Sequence, residues 1–340
     1  MRFGRGDGIT VKEILLPLMN TYKYFTLYAN QHGFEYKADF EPKNLLDKWV
    51  VTRMKQVVYI VDTNLGGYTV PRAVAEMKPL IDDISTWYIR RSRDRFVNGD
   101  KDAMQTLFEV LLTFAKTFAP IAAFVTEFLY QDLKQALPKK EQLESVHLEL
   151  FPTAAELSKE EQSLLDTMAE TRSICSLGQS IRVEQGLAVK QPLGTLFYQG
   201  KQALSAEFVT LVEEELNVEK VVVEKKILTG KKIVSKMEQE ATVALDTEIT
   251  PELAEKGTVR ELTRAIQGAR REANLALGQV ATGSFYTENE VLAKLVVKYS
   301  KQLCAATLLK SLEQTKNKPD AAIKPAVIGA EKIEFFAVIS

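Results

Sequence analysis

The densest set of residues that could do chemistry lies in the ten-residue stretch 87–96, which contains four arginines and one aspartate beside a tryptophan and a tyrosine. Arginine forks match phosphate oxygens, and aromatic rings can stack on nucleic-acid bases. Such a stretch predicts a phosphate-binding end of a helical structure. The pattern leaves one alternative open, in which all four arginines form structural ion pairs or are merely solvated.

On a helix, these arginines divide between two faces. At about 100° per residue, Arg91 and Arg95 lie on the apolar face, so they are expected to point inward and to need carboxylate partners. We predict Glu127, on a later helix, as their partner. Arg90 and Arg93 point away from the apolar face, so they are the predicted phosphate contacts.

Further basic residues that could contact phosphates lie outside this stretch. One group follows a predicted helix end in 178–193, and another lies along a predicted helix in 257–273. Two glutamates, Glu261 and Glu272, lie among the arginines of the second group, so pairing within that helix accounts for much of its pattern. The candidates selected as contacts are Arg53, Lys190, Arg270 and Arg271.

The overall composition limits how such a surface could work. The chain has 44 basic and 45 acidic residues, so its net charge is −1 and any nucleic-acid site must be local. Its two cysteines, Cys175 and Cys304, cannot form a cysteine-type zinc site and are typical of a reducing cytosol. No apolar run reaches the roughly 18–20 residues of a membrane span, and we expect no membrane partner.

Two kinds of element must position these residues. Helical periodicity predicts an α-helical bundle in 1–150, and short β-branched runs mixed with helices predict a smaller α+β region in 151–340. Pro17 is expected to kink the first helix. We find neither an internal repeat nor a low-complexity segment. The predicted helices are 10–31, 43–64, 70–96, one through 107–118, one ending near 136, one or two within 154–185, and one each in 201–215 and 250–275. The predicted strands are 195–198, 218–223, 232–234, 242–245 and 335–339.

Several motifs resemble the C-terminal half of isoleucyl-tRNA synthetases, members of the class I aminoacyl-tRNA synthetase family. The resemblance runs along essentially the whole chain, and the stretch 82–96 is its most specific part. The other matching motifs are Leu16-Pro17-Leu18-Met19-Asn20-Thr21-Tyr22, Asp47-Lys48-Trp49 with Arg53, Phe118-Ala119-Pro120 with Thr126-Glu127, Ser145-Val146-His147, Lys190-Gln191-Pro192-Leu193, Glu215-Leu216-Asn217-Val218 and Arg260-Glu261-Leu262.

The resemblance implies that the chain is the anticodon-binding and C-terminal part of a ligase that acts in protein synthesis. It implies tRNA(Ile) as the partner, without DNA, and a cytoplasmic location. Lysine at 190 stands where an arginine is expected. The implied tRNA contacts are Arg90, Arg93, Arg53, Lys190, Arg270 and Arg271.

The motifs that activate the amino acid in class I synthetases are not recognisable here. His32 and His147 cannot form a His-x-Gly-His motif, and Ser235-Lys236-Met237-Glu238 has the wrong flanks for the Lys-Met-Ser-Lys-Ser loop. The resemblance therefore places ATP and Mg²⁺ in an N-terminal catalytic half, and the chain is expected to hold no cofactor or metal and to be inactive alone. Two alternatives stay open: a non-catalytic scaffold that binds protein, and the equivalent part of a valyl or leucyl paralogue.

Overall fold

The computed structural model describes residues 11–200, 204–224, 230, 232–238, 241–275, 278–315, 326–328 and 331–339. Residue 10 and residues 201–203, where two predicted helices begin, lie outside these ranges. The chain forms two compact units, Met1–Met168 and Ala169–Ser340. The predicted domain boundary at 150 precedes the division between the units.

The first unit is helical, as the apolar periodicity predicts. A π-helical segment, Val11–Leu15, changes to α-helical geometry at the predicted kink, and Pro17 lies in the first turn of the α-helix that follows. Short 3₁₀ turns follow the bundle at Lys134–Ala136, Lys139–Glu141 and Val146–Leu148. The α-helices are α1 (Leu16–His32), α2 (Leu45–Gly66), α3 (Val70–Ala75), α4 (Met77–Asp82), α5 (Ile89–Arg91), α6 (Arg93–Val97), α7 (Lys101–Phe118) and α8 (Ala123–Leu133).

The centre of this unit is α7, which packs against α1, α2 and α8. Leu107, Phe108 and Phe114 on its apolar face are fully buried, as are Val50 and Val57 of α2. Burying a side chain of this size contributes about 1.5–3 kcal/mol, so this layer supplies much of the stability of the bundle. It fixes where the arginine-rich stretch can lie.

The predicted third helix, 70–96, is interrupted rather than continuous. Its middle, Asp83–Tyr88, is π-helical, and the α-helix is interrupted again at Ser92, between α5 and α6, where ψ is 8°. Ser92 itself is fully buried. The arginine-rich stretch therefore lies on two short helical pieces that α2 and α7 hold in place.

The described residues of the second unit form two four-stranded sheets with helices beside them, which confirms the predicted α+β class. A long helix, α9 (Lys159–Glu184), leads into the first sheet, and α11 (Pro251–Glu272) leads into the second. The remaining elements are β1 (Leu193–Gln199), α10 (Ala206–Leu216), β2 (Val218–Val223), β3 (Ile233–Glu238), β4 (Ala241–Asp246), β5 (Ala281–Tyr286), α12 (Glu290–Lys298), α13 (Ser300–Thr307), β6 (Leu309–Gln314), β7 (Ala326–Ile328) and β8 (Glu331–Ile339).

The two sheets have the same topology. Their strand orders are β2-β1-β4-β3 and β6-β5-β8-β7. In each sheet the first two strands are parallel and joined through a helical crossover, and the other neighbours are antiparallel. Each arrangement of long helix and βαβββ sheet is called a repeat below: repeat 1 runs from residue 169 to β4, and repeat 2 from α11 to β8.

Sequence identities support this equivalence, and they correct the expectation that the chain has no internal repeat. Segments 172–198 and 260–286 align without a gap, although most of their positions differ. The matching residues include Arg172 and Arg260, Gln179 and Gln267, Arg182 and Arg270, Glu184 and Glu272, Leu187 and Leu275, Gln191 and Gln279, Phe197 and Phe285, and Tyr198 and Tyr286.

Backbone geometry repeats in the same way. Asn217 and Leu308, each just before the second strand of its repeat, have left-handed φ values of 51° and 52°. The Asn217 carbonyl accepts a hydrogen bond from the backbone N–H of Leu193 at 3.1 Å, and the Leu308 carbonyl accepts one from Ala281 at 3.2 Å. A leucine is rarely found in this conformation, so the crossover geometry is imposed by the surrounding fold.

Candidate nucleic-acid interface

One inward arginine of the arginine-rich stretch, Arg95, is held by two carboxylates. Its terminal nitrogens donate to both oxygens of Asp47 at 2.7 Å, and its Nε donates to Asp100 Oδ2 at 2.7 Å. Asp47 is fully buried in the first turn of α2 and also accepts a hydrogen bond from the Tyr88 hydroxyl at 2.8 Å. A bidentate arginine–carboxylate pair of this kind is strong, and breaking it leaves a buried charge.

Asp100 connects this ion pair to the start of α7. Its Oδ1 accepts hydrogen bonds from the backbone N–H groups of Asp102 and Ala103, as a helix N-cap does. Partial burial alone would raise the pKa of Asp100, but the hydrogen bonds from Arg95 and from these N–H groups outweigh it and lower the pKa. The arginine-rich stretch is thereby fixed to the ends of both α2 and α7.

The inward placement of the arginines is confirmed, but the predicted partner of Arg95 is wrong. Arg91 and Arg95 are half-buried, whereas Arg90 and Arg93 are exposed. Glu127 Oε2 accepts hydrogen bonds from the Ser145 hydroxyl and the Val146 backbone N–H, both at 2.9 Å. Glu127 therefore holds the segment that leaves the bundle, and Asp47 occupies the position next to Arg95.

The two outward arginines form the exposed basic part of the stretch. The Arg90 guanidinium lies 5.7 Å from the centre of the Trp87 ring, and its Nε donates to the Thr86 carbonyl at 2.9 Å. Arg93 lies beside Tyr24, where its charge counteracts the effect of burial, which raises the pKa of that tyrosine to about 12. The ion pairs of Arg95 hold the backbone that carries these two side chains, so less conformational entropy is lost when the side chains bind an anion.

Arg53 was predicted as a contact with tRNA, and the structure gives it an internal role. Its side chain is only 15% exposed, pairs with Asp83 at 3.0 Å and Glu76 at 3.3 Å, and also bonds Gln56. Two carboxylates beside it would repel a phosphate. We therefore leave Arg53 out of the proposed surface.

The three basic residues predicted in the second unit have different surroundings. Lys190 is exposed and forms an ion pair with Glu261 of α11. Arg270 is buried and donates to the carbonyls of Leu308 at 3.2 Å and Gln279 at 2.5 Å, so it supports the crossover of repeat 2 instead of a surface. Arg271, next to it, points outward and is exposed.

Arg182 is the equivalent of Arg270 in repeat 1, and the sequence pattern did not identify it as a buried residue. Arg182 is fully buried and donates to four backbone carbonyls at 2.6–3.1 Å. Burial lowers the pKa of Arg182 to about 10, and the positive charge of Arg260 acts in the same direction. The signal that could have found it is the match of Arg182 and Arg270 in the aligned segments. The four carbonyls belong to Ala188, Gln191, Leu216 and Asn217.

Within the described ranges, no cluster of three or more histidine, cysteine, aspartate or glutamate side chains could hold a metal ion. None of the helices formed by the residues in these ranges has both the length and the apolar character of a membrane span.

The arginine-rich stretch lies inside a region that matches a known family. Residues 47–197 match the family described as the anticodon-binding domain of tRNA ligase. A relative from Dehalococcoides mccartyi, an isoleucine–tRNA ligase, is 32% identical over 93% of this chain. The chain belongs to the isoleucine–tRNA ligase family. This confirms the resemblance to the C-terminal half of these enzymes that the sequence motifs indicated.

Two further relatives bear the same name. The isoleucine–tRNA ligase of Chlamydia pneumoniae is 37% identical over 65% of this chain, and that of Leifsonia xyli subsp. xyli is 30% identical over 78%. The chain spans 32% of the length of the Dehalococcoides ligase, 22% of the Chlamydia one and 29% of the Leifsonia one. Membership of the isoleucine–tRNA ligase family does not favour the scaffold alternative.

Proposed function

We propose that this chain is the tRNA-binding part of an isoleucine–tRNA ligase and that it binds the anticodon region of tRNA(Ile). The proposal rests on the different surroundings of the arginines within 87–96. Asp47 and Asp100 neutralise Arg95, whereas the side chains of Arg90 and Arg93 are exposed at the surface. Anticodon bases are single-stranded, so they can be splayed and read at such a surface.

The charge of the chain sets how strongly it should bind. With a net charge of −1, no long-range attraction adds to the local contacts. Each phosphate contact to a single strand contributes about 0.7 to the slope of log affinity against log salt, so a few contacts give a slope of about −2 to −4. Affinity should be modest because the contacts of a catalytic half are not part of this chain.

Replacing Arg90 and Arg93 together with alanine is expected to weaken tRNA binding about 15-fold at 0.15 M salt and to make the salt slope about 1.4 less steep. Both side chains are exposed, so the unfolding midpoint should stay close to that of the parent. The measurement is a titration of fluorescent tRNA(Ile) at several salt concentrations, with circular dichroism to check the fold.

A matched control removes the same charge elsewhere in the first unit. Lys139 and Lys140 are exposed lysines on a short 3₁₀ turn, and their double alanine variant should bind tRNA nearly as the parent does. If the arginine variant keeps the parent affinity and slope, the arginines are a solvated face and the proposed surface is wrong. Equal losses in both variants would also contradict it.

The chain alone is not expected to activate isoleucine. Activation by the whole ligase, with ATP and Mg²⁺, is proposed to take place in a part of the protein outside this chain. Incubation with isoleucine, ATP and labelled pyrophosphate should give exchange at the background rate. Exchange that increases with protein concentration and survives repurification would overturn this assignment.

A further inference from the structure

A row of three arginines on α11 is only partly explained by the fold of the second unit. Arg260, Arg264 and Arg271 recur at spacings of four and seven residues, so they lie along one side of the helix, opposite the buried Leu262 and Ile266. At 1.5 Å per residue, the row extends about 16 Å along the helix axis. All three arginines are exposed.

The first arginine of the row forms a hydrogen bond with repeat 1, whereas the other two form no ion pair with the described residues. Arg260 donates to the Asn217 side chain, and the nearby Glu261 pairs with Lys190. Glu261 therefore does not neutralise Arg264, contrary to the intrahelical pairing expected from the sequence. Throughout the described part of the chain, no carboxylate lies within ion-pair distance of Arg264 or Arg271.

Comparison of the repeats separates what the fold needs from what it does not. The buried arginine is retained in both copies, as Arg182 and Arg270, because each holds backbone carbonyls at its crossover. The positions of Arg264 and Arg271 are Ser176 and exposed Val183 in repeat 1. The same helix and sheet are built there without these cations, so the fold does not require them.

The surface between the two arginines is open. Gly268 lies one turn from each of them, and a Cβ at that position would meet no atom within 4 Å. Gln267 is exposed on the same side and can donate or accept hydrogen bonds. Guanidinium forks at both ends, with small and polar groups between them, suit an extended polyanion that passes along the helix.

We propose that Arg264 and Arg271 of α11 bind backbone phosphates of the tRNA, as a second contact surface in addition to Arg90 and Arg93. This inference rests on the proposed function, because it needs tRNA as the ligand. Phosphate contacts position an RNA without reading its sequence. The surface should therefore add affinity equally for every tRNA, and any preference for an anticodon must come from other contacts.

The test compares tRNA binding by the parent and by an Arg264→Gln, Arg271→Gln double variant of the full chain at several salt concentrations. Losing two phosphate contacts should weaken binding about 15- to 30-fold at 0.15 M salt and reduce the salt slope by about 1.4–1.8. The loss should be equal for tRNA(Ile) and for a tRNA with another anticodon. A double lysine variant at the same positions should keep most of the slope because it keeps the charge.

A Lys301→Gln, Lys310→Gln variant is the charge-matched control, since both lysines are exposed in the same repeat. The inference would be overturned if the Arg264→Gln, Arg271→Gln variant kept the affinity and salt slope of the parent. It would also be overturned if the Lys301→Gln, Lys310→Gln control lost as much affinity as that variant. If the parent itself binds no tRNA, the proposed function fails first. If the parent binds and only the Arg90, Arg93 variant is impaired, the inference alone fails.

Discussion

Replacing Arg95 with alanine is expected to lower the free energy of unfolding of the first unit by about 3–5 kcal/mol, because it leaves the buried carboxylate of Asp47 without its bidentate partner. The Tyr88 hydroxyl would remain as one donor, which cannot neutralise the charge. Urea denaturation followed by circular dichroism measures the change. Arg90→Ala in the same stretch is the control and should shift stability by less than about 0.5 kcal/mol.

The difference in stability between the parent and the Arg95→Ala variant is expected to depend on pH. The pKa of Asp100 is lowered in the folded protein, since hydrogen bonds from Arg95 and Ala103 outweigh the opposing effect of burial. A lowered carboxyl pKa stabilises the fold above the unfolded value, and this contribution is lost as pH falls through the folded pKa. The difference between parent and Arg95→Ala should therefore shrink below about pH 4. A variant as stable as the parent at neutral pH would contradict the inward placement.

Replacing Arg182 with methionine is the second change with a large expected effect. Methionine fills part of the space but removes a donor from four carbonyls. The carbonyls of Ala188 and Asn217 keep backbone N–H donors from Gln191 and Leu193, and each other carbonyl that water cannot reach costs about 1–3 kcal/mol. We expect a loss of about 3–5 kcal/mol in the second unit. Hydrogen exchange should accelerate first at the starts of β1 and β2, because these carbonyls lie in the segments that lead into the two strands.

Arg270→Met is the matched variant, because the two arginines occupy equivalent positions. Arg270 holds two carbonyls instead of four, so the loss should be smaller, and faster exchange should be confined to β5 and β6. Equal exchange in both repeats for either variant would contradict the assignment of each arginine to its own crossover.

Local patterns were sufficient to predict most of the helices. Apolar residues at every third or fourth position predicted the helical bundle, because each of its helices buries one face. The same pattern could not show the interruption at Ser92, a buried residue that lies beyond the π-helical turn. Helical periodicity also placed Arg95 inward without showing its partner, because Asp47 lies on another helix, 48 residues away in sequence.

The wrong site assignments have a common physical cause. A helical wheel shows which way a side chain leaves its own helix and does not show which neighbour covers it. Arg53 and Arg270 therefore looked like surface cations, although Asp83 and Glu76 surround the first and a strand crossover covers the second. The internal repeat was missed because its few identities are scattered, and equivalence became visible only through strand order and left-handed turns.

The most direct test of the central claim compares two RNAs that differ only in the anticodon. The full chain is titrated with a tRNA(Ile) transcript and with the same transcript carrying another anticodon, at matched salt. We predict weaker binding to the altered transcript by at least about five-fold, since misread bases cost about 1 kcal/mol or more each. Equal affinity for both transcripts at every salt concentration would contradict anticodon recognition by this chain.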